Sequence, residues 1–515
     1  MATAQERAAS RPESSWTSSS GRVRILPVLR PVFDALDGAG VRYCHWKSNR
    51  NLASALRGDT DLDLLVYRGD AARFRSIVER AGFRPTRSSG YPSIANYYGL
   101  DDASGKLVDL HVYYRTVTGA TIKNYHLPVE SMLLEGARQT EDGVYLPARS
   151  AELVLFVIRK TLDSAVLSEA LRPRQWMATA EELEWLSKGV SEEEVAALLR
   201  EHLPTVDFAL FRKLRDAIRS DTSTVRRFLL GRALASRLRP HLRHRAPLAT
   251  VLRTRHLCTT LWRAVRRQRR AETLLSGGAV MGVVGSDASG KSTLVREVSR
   301  WLGEFLSVAT VHGGKPPPTA VTLAPRALLP LLRRLIPRYR LSRLEADAEE
   351  GSTTGLETMR RGRLFILYAL RAVMVGYERK RLLVRAHRKA AAGMLVIADR
   401  YPTRQPGVPE GPALHFLLED AHPLYRWLAR MEERLYRAIP LPDLILSLNV
   451  PLEVAVQRNL TRAKPGGPEP TEYLRRRHAQ CATLDFPGVP LYRVHTDGSL
   501  DDTLRSVKTF IWRTL

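Results

Sequence analysis

Eight consecutive residues, Gly285-Ser286-Asp287-Ala288-Ser289-Gly290-Lys291-Ser292, have the spacing G-x-x-x-x-G-K-S. They follow an apolar run, Val280–Val284, and open a helical pattern. Glycines at both ends let the backbone curl, so that successive N–H groups face inward and surround phosphate oxygens. The helix that follows adds the positive end of its dipole. Lys291 can bridge the β- and γ-phosphates. The Ser292 hydroxyl, followed by Thr293, can ligate Mg²⁺. The chemistry is binding of a nucleoside triphosphate, taken here as ATP.

A loop of this kind does not select a reaction, so the rest of the segment must. The apolar strand Met394–Ala398 runs into Asp399-Arg400-Tyr401-Pro402. An acid at the carboxyl end of such a strand lies beside the phosphates and can hold Mg²⁺ through water, and Arg400 can pair with a phosphate. Further on, strand Asp443–Val450 leads into a helix carrying Arg458 and Arg462, four residues apart and so on one face. A Pro/Gly loop, Lys464–Pro470, follows. Arginines on a closing loop supply charge at a transition state and exclude water.

Together Gly285–Ser292, Asp399-Arg400-Tyr401, Asp443–Arg462 and the final Thr496-Asp497-Gly498 resemble the thymidylate kinase family of nucleoside-monophosphate kinases, over residues 279–515. The resemblance implies a kinase in which Lys291, Asp399, Arg400, Arg458 and Arg462 act on phosphoryl transfer. Asp399 would organise Mg²⁺ and acceptor, and Arg458 and Arg462 would be lid arginines. Two regions depart from the family. Pro402–Pro412 is rich in Pro and Gly where an Ala-Tyr-Gln run is usual, and the second strand ends in His312-Gly313-Gly314-Lys315-Pro316-Pro317-Pro318. Both are acceptor-recognition regions. The expected acceptor is therefore a small nucleotide or a sugar-type molecule, not thymidylate specifically.

A second constellation lies near the start. Asp61 and Asp63 alternate with leucines in Asp61-Leu62-Asp63-Leu64-Leu65-Val66, and Asp109 lies in Leu107-Val108-Asp109-Leu110-His111. On a strand, Asp61 and Asp63 share a face. Adjacent carboxylates there repel unless a cation lies between them. Three carboxylates on neighbouring strands make a Mg²⁺ site suited to in-line nucleotidyl transfer. This resembles the nucleotidyltransferase superfamily that includes polymerase β, with Ser48 thirteen residues before Asp61 and Lys47-Ser48-Asn49 at the family's Gly-Ser turn. An active nucleotidyltransferase, a nucleotide- or sugar-binding relative without catalysis, and an unrelated Asp-rich strand all remain open. His111 reads as a paired, buried histidine.

These residues need elements to hold them. Strands are expected at Asp61–Tyr67 and Lys106–Tyr113 around a helix at Ala71–Ala81. Amphipathic helices follow at Ala151–Leu162, Thr179–Ser187 and Ser191–His202, where apolar residues recur at three- and four-residue spacing. Thr222–Arg270 contains fourteen Arg and no acid, with Leu230, Leu234, Leu238 and Leu242 at helical spacing and Pro240 and Pro247 as interruptions. Ser276-Gly277-Gly278 reads as a hinge. From Ala279 the expected order is strand Ala279–Gly285, helix Lys291–Phe305, strand Ser307–Val311 and a long helix Glu357–Ala391. Strands Met394–Ala398, Asp443–Val450 and Leu491–His495 follow, with a helix at Leu452–Thr461. Alternation of strand and helix predicts an α/β fold with a parallel sheet covered on both faces. The expected divisions are a disordered tail at 1–21, a mixed α/β domain at 22–148 and a helical region at 149–220. A basic linker at 221–277 and the phosphate-loop domain at 278–515 complete the chain.

The 515 residues carry a formal charge of +27, from 80 Lys+Arg against 53 Asp+Glu. Of the basic residues 68 are Arg and 12 are Lys, a bias that fits a GC-rich genome as well as a polyanionic partner. The basic segment is open to three readings: a solvated connector, an anionic surface contact or a nucleic-acid contact. Cys44, Cys258 and Cys481 are far apart and form neither a metal-ligand pattern nor a disulfide framework, which favours a reducing cytoplasm. No run is long and apolar enough for a membrane span, and the Ser/Ala-rich start lacks the apolar core of a secretory signal. The expectation is a cytoplasmic two-headed enzyme. The alternative is an NTPase switch coupled to a nucleic-acid or partner-binding module, with one head inert.

Overall fold

The computed structural model describes residues 25–87, 94–166, 174–219, 223–265, 271–323, 365–419, 422–461 and 469–515. The chain divides into two compact units, Met1–Arg269 and Arg270–Leu515. Both mix helices and strands, so the fold class is α/β.

The N-terminal unit opens with helix α1 (Leu29–Gly38), strands β1 (Tyr43–His45) and β2 (Leu62–Val66), and helix α2 (Ala71–Arg80). Strands β3 (Arg84–Arg87), β4 (Ala95–Asp101) and β5 (Lys106–Tyr113) follow. They lie in the order β1-β2-β5-β4-β3. Only β2 and β5 run parallel to each other. Side chains alternate across a strand. Leu62, Leu64 and Val66 therefore join Val108, Leu110 and Val112 on one face, where they pack with Leu29, Phe33, Phe74 and Val78 of α1 and α2. The same alternation places Asp61, Asp63, Asp109 and His111 on the opposite face. On that face Leu65 and Tyr113 enter a second core with Trp46. That core includes helices α3 (Arg149–Ser164), α4 (Arg174–Ser187), α5 (Glu192–His202) and α6 (Phe208–Arg219). Helix α5 starts where predicted because the Ser191 hydroxyl accepts a hydrogen bond from the Glu194 N–H at 3.1 Å.

The basic segment forms helices α7 (Thr224–Arg237) and α8 (Ala246–Val265), separated by a short turn at Arg239–His241. Pro240 lies in that turn, as expected. Pro247 does not interrupt: it is the second residue of α8, where the absent N–H has no partner to lose.

Among the described residues the C-terminal unit holds a sheet of five parallel strands. They are β6 (Val280–Gly285), β7 (Val308–His312), β8 (Leu395–Asp399), β9 (Leu444–Asn449) and β10 (Leu491–His495). Their order is β7-β8-β6-β9-β10. The central strands are buried nearly throughout, which explains why they read as continuous apolar runs. Each buried Val, Leu or Ile stabilises by about 2 kcal/mol. The helices are α9 (Lys291–Leu302), α10 (Phe365–Ala391), α11 (Pro423–Arg437), α12 (Leu452–Thr461), α13 (Thr471–Ala482) and α14 (Leu500–Thr514). Parallel strands align their carboxyl ends, so Gly285, His312, Asp399, Asn449 and His495 share one edge, where open α/β sheets place their ligands.

Two expectations change. Helix α9 stops at Leu302, not Phe305, with Gly303 as its C-cap. Gly278 is no open hinge. Its N–H donates to the Ala390 carbonyl at 2.7 Å, and a Cβ there would lie 1.8 Å from the Met394 carbonyl oxygen. The helix expected from Glu357 is described from Phe365, and 357–364 lie outside the described residues.

Candidate functional site

The loop between β6 and α9 has the backbone that its glycines allow. Gly285 has φ +144° and Gly290 φ +93°. A Cβ on Gly285 would approach the Leu448 carbonyl oxygen to 2.6 Å, so only glycine fits beside β9. The Lys291 ammonium folds back and donates to the carbonyls of Gly285 at 2.9 Å and Ser286 at 2.5 Å. Burial first, then the charge of Arg400, holds its pKa down to about 8. Ser292 stands exposed in the first turn of α9, and the Ser289 hydroxyl is buried without a hydrogen-bond partner. A cleft of about 790 Å³ opens over the loop. Residues 287–294 line it together with His312, Asp399, Arg400, Glu410, Arg458, Tyr473, Arg477 and Thr496.

Asp399 ends β8, in register with Val283 on one side and His312 on the other. Its Oδ1 is buried and has no hydrogen-bond partner, while His312 Nε2 lies 3.9 Å from Oδ2. His312 Nδ1 accepts the N–H groups of Gly314 at 3.1 Å and Lys315 at 3.2 Å, which leaves Nε2 to carry the proton. An orphaned carboxylate oxygen lining the same cleft as Ser292 is the environment that a hydrated cation fits.

Arg400 adopts a left-handed backbone, φ +60°, and its N–H donates to the Val283 carbonyl at 2.9 Å. That turn aims the guanidinium at the phosphate loop. It pairs with Asp287 at 2.6 Å and with Glu410 at 3.1 Å, and Arg477 stands 3.8 Å from Glu410. The two acids raise the Arg400 pKa against the effect of burial.

Arg458 lines the cleft by tying two segments together. Its guanidinium donates to the Thr496 carbonyl at 2.6 Å, and the Thr496 hydroxyl donates to the Ser289 carbonyl at 3.1 Å. Arg462 lies outside the described residues. Sequence reasoning missed Glu410, Arg477 and Arg379. Arg379, buried on α10, donates to the Gly313 carbonyl at 3.0 Å, to the Glu410 carbonyl at 3.2 Å and to the Tyr436 hydroxyl. It holds the two departing loops together. The only available signal was a buried-face position for an arginine in an otherwise amphipathic helix. Glu410 sits in an irregular loop, and Arg477 belongs to an Arg-Arg-Arg run that reads as a solvated face.

In the N-terminal unit Asp61, Asp63 and His111 bring ligand atoms within 4.8 Å of one another. His111 Nδ1 is 2.6 Å from Asp61 and 3.7 Å from Asp63, and its Nε2 is 3.3 Å from Asp109. Lys47 pairs with Asp63 at 2.8 Å. Tyr98 donates to Asp109 at 3.1 Å. So the residue that completes the trio with Asp61 and Asp63 is His111, while Asp109 lies behind the imidazole. Although burial opposes it, the surrounding carboxylates push the His111 pKa up to about 12. Ser48, at the expected turn, is left-handed with φ +60°. The turn is braced by buried Glu152, whose carboxylate accepts both Asn49 N–H groups, from the backbone at 3.2 Å and the side chain at 2.8 Å. Burial raises the Glu152 pKa to about 7.

No family model matches the chain, and no curated protein does. Among the solved structures that resemble the chain are two kinases. Thymidylate kinase from Candida albicans is 17% identical over 46% of this chain and 90% of its own, with a TM-score of 0.25. Deoxyadenosine kinase from M. mycoides with bound dATP is 12% identical over 45% of this chain and 98% of its own, with a TM-score of 0.27. Neither bears on the N-terminal resemblance. Among the described residues no helix is long and apolar enough to cross a membrane.

Proposed function

We propose that the C-terminal unit is an ATP-dependent phosphotransferase that moves the γ-phosphoryl group to a small nucleotide or sugar-type acceptor. The observation that carries this reading is the Arg400 guanidinium held between Asp287 of the phosphate loop and Glu410, in one cleft with Lys291 and Asp399. In this reading the N–H groups of residues 286–292 hold the phosphate oxygens of ATP, and Lys291 exchanges its two carbonyl partners for them. Ser292 and Asp399 are the residues that would hold Mg²⁺, which when bound neutralises charge between β- and γ-oxygens. Arg400, already compensated by two carboxylates, meets an acceptor or transferring phosphate in place of one of them. Arg477 adds a second cation beside Glu410. Arg458 acts through Thr496 to fix the loop, and Arg462 is the remaining lid arginine of the proposal.

The test is a screen of ATP with nucleoside monophosphates and sugar phosphates, read as ADP formed. Acceptor-dependent ADP that vanishes in Lys291→Ala supports the reading. ADP formed only when DNA or RNA is added supports an NTPase switch instead.

A second reading concerns the N-terminal unit. Four titratable residues share one face of two parallel neighbours, β2 and β5, which favours nucleotidyl transfer there, with Asp61, Asp63 and Asp109 as the acidic set. His111 and Lys47 already compensate these acids, so a cation would have to displace the imidazole or be ligated by it. Release of pyrophosphate from labelled triphosphates, lost in Asp61→Ala/Asp63→Ala, is its test.

A further inference from the structure

Helix α8 is 20 residues long, about 30 Å at the usual rise. At 100° per residue, Ala249, Leu252 and His256 fall on one side. Ala249 is buried and the other two are half-buried, so this side faces the protein. The opposite side carries Val251, Cys258, Leu261, Trp262 and Val265. The four named hydrophobics among them are 57% to 81% exposed, and Cys258 is exposed as well. Arg255, exposed, borders this ridge beside Trp262, while Arg253, also exposed, lies toward the side that faces the protein, near Tyr125. Residues 222–270 hold fourteen Arg and no acid.

We propose that α8 is a membrane-surface helix, which lays its outward ridge into the headgroup region of an anionic lipid bilayer. An interfacial helix has an apolar face at the level of the acyl boundary and cations at its borders, where they reach phosphates. Here the apex is apolar and Arg255 is lateral. Trp262 near the end of the ridge is a side chain favoured at that depth. A nucleic-acid contact would need the arginines at the apex, since phosphates are its first surface. Pairing with a second copy would bring Arg255 toward its own equivalent, with no acid in the segment to compensate it.

The full chain is mixed with vesicles of phosphatidylcholine alone or with about one third phosphatidylglycerol, and bound protein is measured by sedimentation. A polarity-sensitive dye on Cys258, in a Cys481→Ser background, reports insertion. Binding at least about tenfold stronger to the anionic vesicles, weakened by salt and accompanied by a blue shift of the dye, is expected. Leu261→Glu/Trp262→Glu and, separately, Arg255→Glu should each lower it about tenfold with the thermal transition unchanged, since all three side chains are exposed. Equal binding to neutral vesicles overturns the proposal, as does undiminished binding by both variants. So does a dye that responds only to DNA or to self-association.

Discussion

Arg400 and Asp287 form an ion pair at 2.6 Å across 113 positions of sequence, joining the end of β8 to the phosphate loop. The pair is partly buried, and Glu410 takes the other arm of the guanidinium at 3.1 Å. An arginine compensated in this way is pre-oriented: its fork already points into the cleft before any phosphate arrives. Replacing Arg400 by Met should lower kcat for the proposed transfer by about 100-fold, near 3 kcal/mol, as loss of one preorganised charge does. Steady-state ADP formation measures it. A drop below threefold would remove Arg400 from the proposed chemistry.

Lys291→Ala removes the cation that crosses the loop. The expected loss in ADP formation is about 1,000-fold, with the thermal transition retained, because burial already disfavours the Lys291 ammonium in the folded protein. Activity close to the unsubstituted level would contradict the phosphate-loop reading.

The depressed pKa of Lys291 has two consequences in pH. The folded, ligand-free protein loses the Lys291 proton near pH 8, whereas the unfolded chain keeps it to about 10.5. Between those values the unfolded state binds more protons, so this group makes stability rise with pH. ATP affinity should move the other way and weaken above pH 8, since the neutral amine no longer attracts phosphate. Titration of nucleotide binding from pH 7 to 10, beside Lys291→Arg, checks the sign. The arginine variant should show no such decline.

Asp399→Asn leaves the shape of the β8 end intact while removing the charge of an oxygen that has no protein partner. The Mg²⁺ concentration for half-maximal ADP formation should rise about tenfold, corresponding to about 1.4 kcal/mol. An unchanged Mg²⁺ dependence would place the cation elsewhere.

In the N-terminal unit, Asp63 and Asp61 should differ in stability effect. The Asp63 side chain is 9% exposed and pairs with Lys47, itself 17% exposed. Asp63→Ala leaves that ammonium buried without its nearest counter-charge, at a cost of about 3 kcal/mol. Asp61 is 42% exposed, so Asp61→Ala should cost under about 1 kcal/mol. Urea unfolding of the two variants measures the difference.

Much of the site was readable along the chain. The glycine spacing of 285–290 dictates a curled loop, because a positive φ and a close approach to Leu448 are open only to glycine. The alternation Asp61-Leu62-Asp63-Leu64 places both acids on one face, because the strand period is two. Strand ends were read within one or two residues where burial on both sides makes an unbroken apolar run. Helices α11, α13 and α14 were not predicted. Charged residues are frequent in all three, and their apolar faces become informative only against what they cover, α10 for α11 and the sheet for α13 and α14.

What the sequence determined by itself is local: which residues curl around a phosphate, which carboxylates share a face, and where a parallel sheet must lie. What only the tertiary structure decided is the set of partners. Arg379, Glu410, Arg477 and Thr496 reach the site through the order β7-β8-β6-β9-β10, which brings remote loops to one edge. The same is true of His111, which takes a place beside Asp61 and Asp63 because β5 lies parallel to β2 in the register Asp63–His111. Backbone sterics act over a few residues and can be read from spacing. Charge pairing acts through space, and its distances exist only once the strands are in order.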